Sequence, residues 1–290
     1  MELSKYNLDL NELLFDEDII TTKKIFDNVG GFDPELFSNF NENIPYYKTK
    51  CISSDSYLLN FVKNRFIIDY DIFNKIKIYL INIDSRTDRL ENSHNELNRI
   101  NIYNYERFSA IVPCDNDIKN CKFINPMRLL TKNKAYLKGS VGCKMSHLAV
   151  LKQSLMCEEE LIMILEDDIA IEEDIIENLN LALLYLKDKD WDILYLSSNL
   201  TKKDDAIKVN PNVLKIKKGL TTTAQIFQKK KLKKIIEYIN MSDKEIDNTY
   251  NDYLKEKYCV YPMCVYQKKS FSDILCNEMD YGEYHKKFIY

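Results

Sequence analysis

The sequence predicts an α/β protein: a mostly parallel sheet covered by helices over residues 76–290, behind a small helical N-terminal segment at 1–75. Three observations lead there. From Ile76 onward, short apolar, β-branched runs alternate with longer stretches whose apolar residues recur at helical spacing, the pattern of strands joined by crossover helices. One run, Leu-Ile-Met-Ile-Leu at 161–165, has no polar position, as expected of a strand buried on both faces. Residues 1–75 lack the alternation and carry only short amphipathic stretches.

Taken in order, stretches at 9–15, 34–40 and 56–66 predict short helices, with Gly30 and Gly31 as turn residues and Asp33 capping ahead of Pro34. Residues 76–83 predict a strand, 87–100 a helix capped by Thr87 or Asp88, and 106–112 a second strand. Residues 139–157 place Val141, Met145, Leu148, Leu151 and Leu155 on one helical face, with Gly139 and Gly142 opening the helix and permitting close approach. The buried run at 161–165 follows, then a helix at 173–186 and strands at 191–196 and 221–228. Helices at 229–240 and 244–257 precede a last strand at 263–267. No internal repeat or low-complexity tract interrupts them.

Composition narrows the function classes. At 290 residues, 45% hydrophobic and 30% charged, the chain buries a real core and is neither disordered nor a minimal disulfide scaffold. The net charge of -4 lacks the basic excess of a nucleic-acid binder. The 8 cysteines contain no CxxC spacing and read as free thiols. No basic-then-apolar leader and no membrane-length apolar window are present, so a soluble, cytoplasmic protein is expected.

The strongest local signal is Leu165-Glu166-Asp167-Asp168, where the buried run ends. Ligands of open α/β sheets bind beyond the carboxyl ends of strands, and consecutive acids there suit a hard cation such as Mg²⁺ or Mn²⁺. Strand alternation puts Glu166 and Asp168 on one face as the metal-ligating pair, with Asp167 pointing away. A divalent ion so held neutralises a pyrophosphate leaving group, the help that a nucleotide-sugar transfer needs. The plain alternative is an acidic turn leading into Glu172-Glu173-Asp174.

Five motifs occur in order: Ile78-Tyr-Leu-Ile-Asn-Ile-Asp-Ser-Arg-Thr-Asp-Arg89, Gly139-Ser-Val-Gly-Cys-Lys-Met-Ser-His147, Ile164-Leu-Glu-Asp-Asp168, Thr221-Thr-Thr-Ala224 and Gln267-Lys-Lys-Ser-Phe-Ser-Asp-Ile274. Together they resemble glycosyltransferase family 25, the family of lipooligosaccharide and procollagen galactosyltransferases. The resemblance covers residues ~76–275. It implies a GT-A-like domain that binds a UDP-sugar and a divalent metal, Mn²⁺ or Mg²⁺, through a DXD-type acidic motif. It further implies transfer of a hexose, galactose or glucose, with inversion, to a hydroxyl of a glycan or protein. Gln225 stands where the family often has Tyr, and the stretch 198–215 matches no family feature.

Within that frame Asn82, Asp84, Arg86 and Arg89 end the first strand where the donor nucleotide would sit, and an arginine fork suits phosphate oxygens. Surface arginines are the alternative. His147 falls about 120° from the centre of its helix's apolar face, which places it outside that core and favours a donor contact, or a backbone-satisfied structural role. Asp167 and Gln267 complete the candidate cofactor contacts. Asp247 and Asp273 are the candidate catalytic bases for the acceptor hydroxyl, Asp247 resembling a family acid placed before a helix, where N-capping is its alternative role. His285 reads as a tail residue.

Residues 202–234 hold 11 lysines against Asp204 and Asp205, a solvated face or an anchor for an anionic acceptor or membrane surface. A homodimer through 1–75 is left open. Two other functions stand beside the transferase: a catalytically silent binding or scaffold protein of the same fold, and a Mg²⁺-dependent phosphohydrolase, which lacks its Asp-x-Asp nucleophile motif after the buried strand.

Overall fold

A computed structural model describes residues 14–16, 19–21, 72–119, 125–268, 270–272 and 277–279. The chain divides into two compact units, residues 1–68 and 69–290. In the first, β1 (Leu14–Asp16) pairs antiparallel with β2 (Ile19–Thr21). Residues 14 and 15, expected at a helix end, are therefore strand. The rest of the helices expected at 9–15, 34–40 and 56–66 lies outside the described residues.

The second unit opens on a 3₁₀ turn, Ile72–Lys75, that leads into β3 (Ile76–Asn82), α1 (Thr87–Arg99) and β4 (Glu106–Ser109). Then come α2 (Asp115–Lys119), α3 (Pro126–Thr131), α4 (Lys134–Ser154), β5 (Leu161–Glu166), β6 (Ile169–Ile171), α5 (Ile175–Leu186) and β7 (Ile193–Tyr195). The chain continues through β8 (Ala206–Asn210), β9 (Val213–Ile216), β10 (Ala224–Gln228), α6 (Leu232–Met241), α7 (Ile246–Tyr253) and β11 (Lys257–Val260). It closes with β12 (Val265–Gln267), β13 (Ser270–Ser272) and β14 (Asn277–Met279).

The main sheet runs β4-β3-β5-β10-β7-β11-β9-β8. Its pairings set β3, β4, β5, β7, β8 and β11 in one direction and only β9 and β10 in the other, so the expected mostly parallel sheet is found. Helices cover both faces. On one, Ile76, Ile78, Leu80, Met163 and Leu165 pack with Leu97 of α1 and Leu179 and Leu186 of α5. On the other, Tyr79, Ile81, Ile162 and Ile164 pack with Leu151 of α4 and Ile235 and Ile239 of α6. Alternate residues of β3 and β5 thus feed two separate cores, which is why β5 has no polar position before its end and β3 only the half-buried Lys77, whose Nζ pairs with Glu106.

Several boundaries move. The helix expected from Gly139 begins at Lys134, because Asn133 accepts from the Tyr136 N–H at 2.8 Å and caps it. Neither Thr87 nor Asp88 caps α1, whose N-cap position is Arg86. The helix expected through 257 stops at Tyr253, and Lys257 opens β11 instead. Lys257 is buried, its Nζ donating to the carbonyls of Asn251 and Leu254 at the end of α7. Strands β6, β8 and β9 had no counterpart among the expected elements. The lysines of 202–234 are spread over β8, β9, α6 and the turns between them, and Lys215 pairs with Glu256 while Lys230 and Lys231 pair with Asp190. Among the described residues, no helix is long and apolar enough to cross a membrane.

Phe73 of the 3₁₀ turn is buried in the first of the two cores, so the second unit needs residues just ahead of Ile76. We expect a chain starting at residue 69 to unfold cooperatively in urea. Phe73→Ala in the full chain should cost roughly 3–5 kcal/mol, read as a lowered midpoint.

Candidate active site

The carboxyl ends of β3 and β5, the start of α1, the segment 110–113 after β4 and the middle of α4 enclose a cavity of about 370 Å³. Glu166, Asp167 and Asp168 all line it, with Arg86, Arg89 and Gln267. The wall opposite the acids depends on a close approach. A Cβ at Gly142 would lie 2.6 Å from the Ile111 carbonyl oxygen and 3.0 Å from Pro113 Cδ, so only glycine lets α4 lie against that segment. Ser146 fixes the contact, its Oγ accepting from the Ile111 N–H at 2.8 Å and donating to the Gly142 carbonyl at 2.7 Å. Gly139 and Gly142 both lie inside the helix; they do not open it.

The strand ends at Glu166 and residues 167–168 form the turn into β6, so strand alternation does not sort the three acids. Each meets a different environment. Asp167 turns towards α1, accepting from Arg89 Nη1 at 3.0 Å and Asn82 Nδ2 at 2.7 Å, while Ser93 Oγ donates to its backbone carbonyl at 2.9 Å. The ion pair is nearly dry, with side-chain exposures of 11% for Arg89 and 8% for Asp167. Burial nonetheless pushes the Asp167 carboxyl upward, against the pull of Arg89.

Asp168 accepts from Gln267 Nε2 at 3.1 Å through Oδ2, with Arg89 Nη1 3.8 Å away. Burial, then the neighbouring charges of Glu166 and Asp167, push it up to about 7. Asp168 Oδ1 and Gln267 Oε1 are both buried and have no hydrogen-bond partner among the described residues. Two orphaned oxygen acceptors on side chains that are hydrogen-bonded to each other fit a hard cation.

Glu166 turns towards α4. Its Oε1 accepts from Thr222 Oγ1 at 2.8 Å and lies 3.3 Å from His147 Nε2 and 3.6 Å from Cys143 Sγ. Although burial opposes it, hydrogen bonding and charge from His147, with Thr222 and Cys143, hold the Glu166 carboxyl below its ordinary range. His147 is fully buried, not outside the helix core, because α4 is covered on nearly every side. Its Nδ1 lies 3.1 Å from Nε2 of Gln225, itself fully buried on β10.

The remaining expected residues divide. Asn82 is buried and fully engaged: its Oδ1 accepts twice from Arg107, at 2.9 and 3.0 Å, while its Nδ2 also donates to the Arg86 carbonyl. Asp84 sits at the exposed rim and accepts from Arg107 at 2.5 Å and Ser109 at 2.8 Å, which lower its carboxyl. Arg86 lines the cavity and forks onto Asp88 at 2.9 and 3.0 Å. Asp247 caps nothing. The N-cap of α7 is Glu245, and Asp247 stands in the first turn with Oδ1 accepting from the Asn248 N–H at 2.7 Å. It is half-buried, takes a backbone N–H from Thr221, and is raised first by burial and then by the charge of Glu166. Thr221 adopts φ 74°, a strained setting for a residue with a Cβ. Asp273 and His285 lie outside the described residues.

Cys143, Thr222, Gln225 and Arg107 were not foreseen. Cys143 precedes His147 by four residues and so shares its helix face, a spacing visible in the sequence. Arg107 and Ser109 share one face of β4 by the same logic of period 2. Thr222 and Gln225 reach the site only because β10 pairs antiparallel with β5, which no local pattern announces.

The acidic triplet thus stands at the carboxyl end of a central strand, on a mostly parallel sheet that helices cover on both faces. Residues 75–267 match glycosyltransferase family 25, described as LPS biosynthesis protein, and the chain belongs to that family. No curated protein matches it. Among solved structures it is similar to a glycosyltransferase involved in the glycosylation of the major capsid of PBCV-1, at 10% identity over 56% of this chain and 65% of that one, with a TM-score of 0.32. It is also similar to a mannose-1-phosphate geranyltransferase from Thermus thermophilus, at 8% identity over 64% and 73%, with a TM-score of 0.35. The chain thus spans under two thirds of the first structure's length, and the family assignment rests on the 75–267 match.

Two outcomes follow from the acids' environments. Asp167→Ala should destabilise the protein by about 3–5 kcal/mol in urea unfolding, because Arg89 is left buried without its closest carboxylate. For Asp168 the folded pKa, about 7, exceeds the ordinary value of 3.8. The folded state then holds the extra proton between those limits, and the stability this group contributes falls as pH rises through the window. With EDTA present, Asp168→Asn should remove that fall, compared by urea midpoints at about pH 5 and about pH 8.

Proposed function

We propose that this protein is a metal-dependent inverting glycosyltransferase that moves a hexose, galactose or glucose, from a UDP-sugar to a hydroxyl of a glycan or protein. The observation that carries the reading is the orphaned oxygen pair, Asp168 Oδ1 and Gln267 Oε1, buried at the wall of the cavity. With Glu166 alongside, these groups would hold Mn²⁺ or Mg²⁺, all oxygen ligands of the kind such ions prefer. When bound, that ion neutralises charge developing on the UDP leaving group. The cavity volume of about 370 Å³ lies within the range of small-ligand sites. The UDP-sugar and the choice of hexose are supported by the resemblance to family 25.

The chain's own residues divide the work. Arg86, at the cavity wall, binds donor phosphate by exchanging its surface contact with Asp88 for a ligand oxygen. Arg89 stays with Asp167 and keeps the strand end in place, so its contribution is position. Asn82 joins Asp167 to Arg107, and Asp84 at the rim faces the nucleoside end. On the acceptor side Asp247 takes the hydroxyl proton. Its half-buried carboxyl, raised by burial and by the charge of Glu166, is a stronger base than an exposed aspartate. Asp273 is the second candidate for that role.

A screen of UDP-sugars for UDP release with Mn²⁺ tests the reading. We expect release with one hexose donor and its loss in EDTA. Orthophosphate release in place of UDP would point to a phosphohydrolase, and no turnover with any donor to a silent scaffold. Asp247→Asn should keep donor affinity while transfer falls ~10²–10⁴-fold, the usual worth of a positioned base. Unchanged transfer would move the base to Asp273.

A further inference from the structure

Cys143, His147 and Glu166 converge at one end of the cavity, and the oxygen-ligand reading of Asp168 and Gln267 does not account for the two non-oxygen groups. We propose that Cys143 Sγ, His147 Nε2 and Glu166 Oε1 form a second metal site, for a borderline divalent cation such as Zn²⁺. The proposal goes beyond the transferase reading and shares only Glu166 with it.

The donor set is that of a zinc site: one thiol, one imidazole and one carboxylate, all three atoms within 4.8 Å of one another. Their separations match the ion. Zinc bonds of roughly 2.0 Å to oxygen and nitrogen and roughly 2.3 Å to sulfur, at tetrahedral angles, set ligand pairs about 3.3 Å apart for N and O and about 3.5 Å apart for S and O. The observed distances are 3.3 Å from His147 Nε2 to Glu166 Oε1 and 3.6 Å from Cys143 Sγ to the same oxygen. An ion can therefore enter without moving these two pairs apart. Cys143 and His147 are four residues apart on α4, a rigid helix, and Glu166 ends a central strand, so the three are held by regular elements.

The surroundings supply what a zinc-bound histidine requires. A ligating His147 Nε2 must carry no proton, which places the proton on Nδ1 and calls for an acceptor there. Gln225 faces Nδ1 at 3.1 Å, and its Oε1 is buried without a partner among the described residues. Rotating that amide by half a turn presents Oε1 to Nδ1–H. Burial and the Glu166 charge keep the Cys143 thiol protonated in the absence of a cation. A bound ion reverses that preference, and the thiol proton leaves to water as the S–metal bond forms. All three ligands also line the cavity, so the fourth coordination position opens there. Three protein ligands and one open position describe a site that takes a water or substrate oxygen, whereas a purely structural site is closed by a fourth side chain.

The test uses the full chain purified without chelator. Metal analysis by inductively coupled plasma mass spectrometry should find close to one zinc per chain. After stripping, added Co²⁺ should give the near-ultraviolet band of thiolate-to-cobalt charge transfer. Cys143→Ser should abolish the band and the zinc while thermal unfolding stays cooperative. Cys114→Ser, at an exposed cysteine, should leave both intact. Asp168→Asn should retain the band, which separates this site from the oxygen pair. If Mn²⁺-dependent UDP release fails while the band persists, the transferase reading falls and this one stands. Absence of both zinc and band in the parent chain, or a band that survives Cys143→Ser, would overturn the proposal and leave the three residues a hydrogen-bonded brace.

Discussion

The site rests on the buried pair of Arg89 and Asp167. It ties the end of β5 to α1, and through Asn82 it ties both to the end of β3 and to Arg107 on β4. Ser93 adds a bond from α1 to the Asp167 carbonyl. Two adjacent parallel strands and the helix that follows the first are thereby locked at the point where they must leave the sheet. A buried pair of this kind gives little net stability, because desolvation of the two charges offsets their attraction. Its consequence is geometric: Glu166 and Asp168, on either side, are fixed in direction by the residue between them.

Three consecutive acids consequently have three separate environments. Glu166 gathers donors on one oxygen and stays ionised, whereas Asp168 has a single amide donor, two anionic neighbours and an oxygen with no partner among the described residues. Neighbouring carboxyls pushed in opposite directions give one short segment both a permanent anion and a group that holds its proton towards neutral pH. Asp167, raised by burial yet paired, has neither role and serves as their anchor.

How much of this can be read from sequence follows from how local each feature is. The runs at β3 and β5 are legible because burial on both faces removes nearly every polar residue ahead of the strand end, Lys77 of β3 excepted, a constraint written in each strand by itself. The acidic triplet is legible for the same reason, as the abrupt end of such a run. β8 and β9 are not, since an edge hairpin reading Ala-Ile-Lys-Val-Asn obeys no such constraint. The position of His147 is misread when it is measured against one apolar face, because α4 is packed on nearly all sides. Cys143 reads as one more free thiol, although its spacing to His147 places the two on one face. Gln225, a departure from the family pattern, proves to be the partner of His147, a relation that only the pairing of β10 with β5 creates.

That pairing also links the Asp247 turn to the acidic triplet. Inserting β10 antiparallel between β5 and β7 brings the 221–224 segment alongside Glu166, whose N–H donates to the Thr223 carbonyl at 2.9 Å. The same segment offers the Thr221 N–H to Asp247. From the other direction, α4 grips the turn that leads to Asp247. Lys144 Nζ donates to the carbonyls of Ser242 and Lys244, each at 2.7 Å, and Tyr136 OH donates to Glu245 at 2.7 Å. Lys144 is buried, so those two bonds are sheltered from water and strong for their kind. One helix therefore carries Gly142 and His147 on the cavity wall and Lys144 and Tyr136 against the Asp247 turn. A displacement of α4 must move both, and the spacing between the acidic triplet and Asp247 is set by a single rigid element.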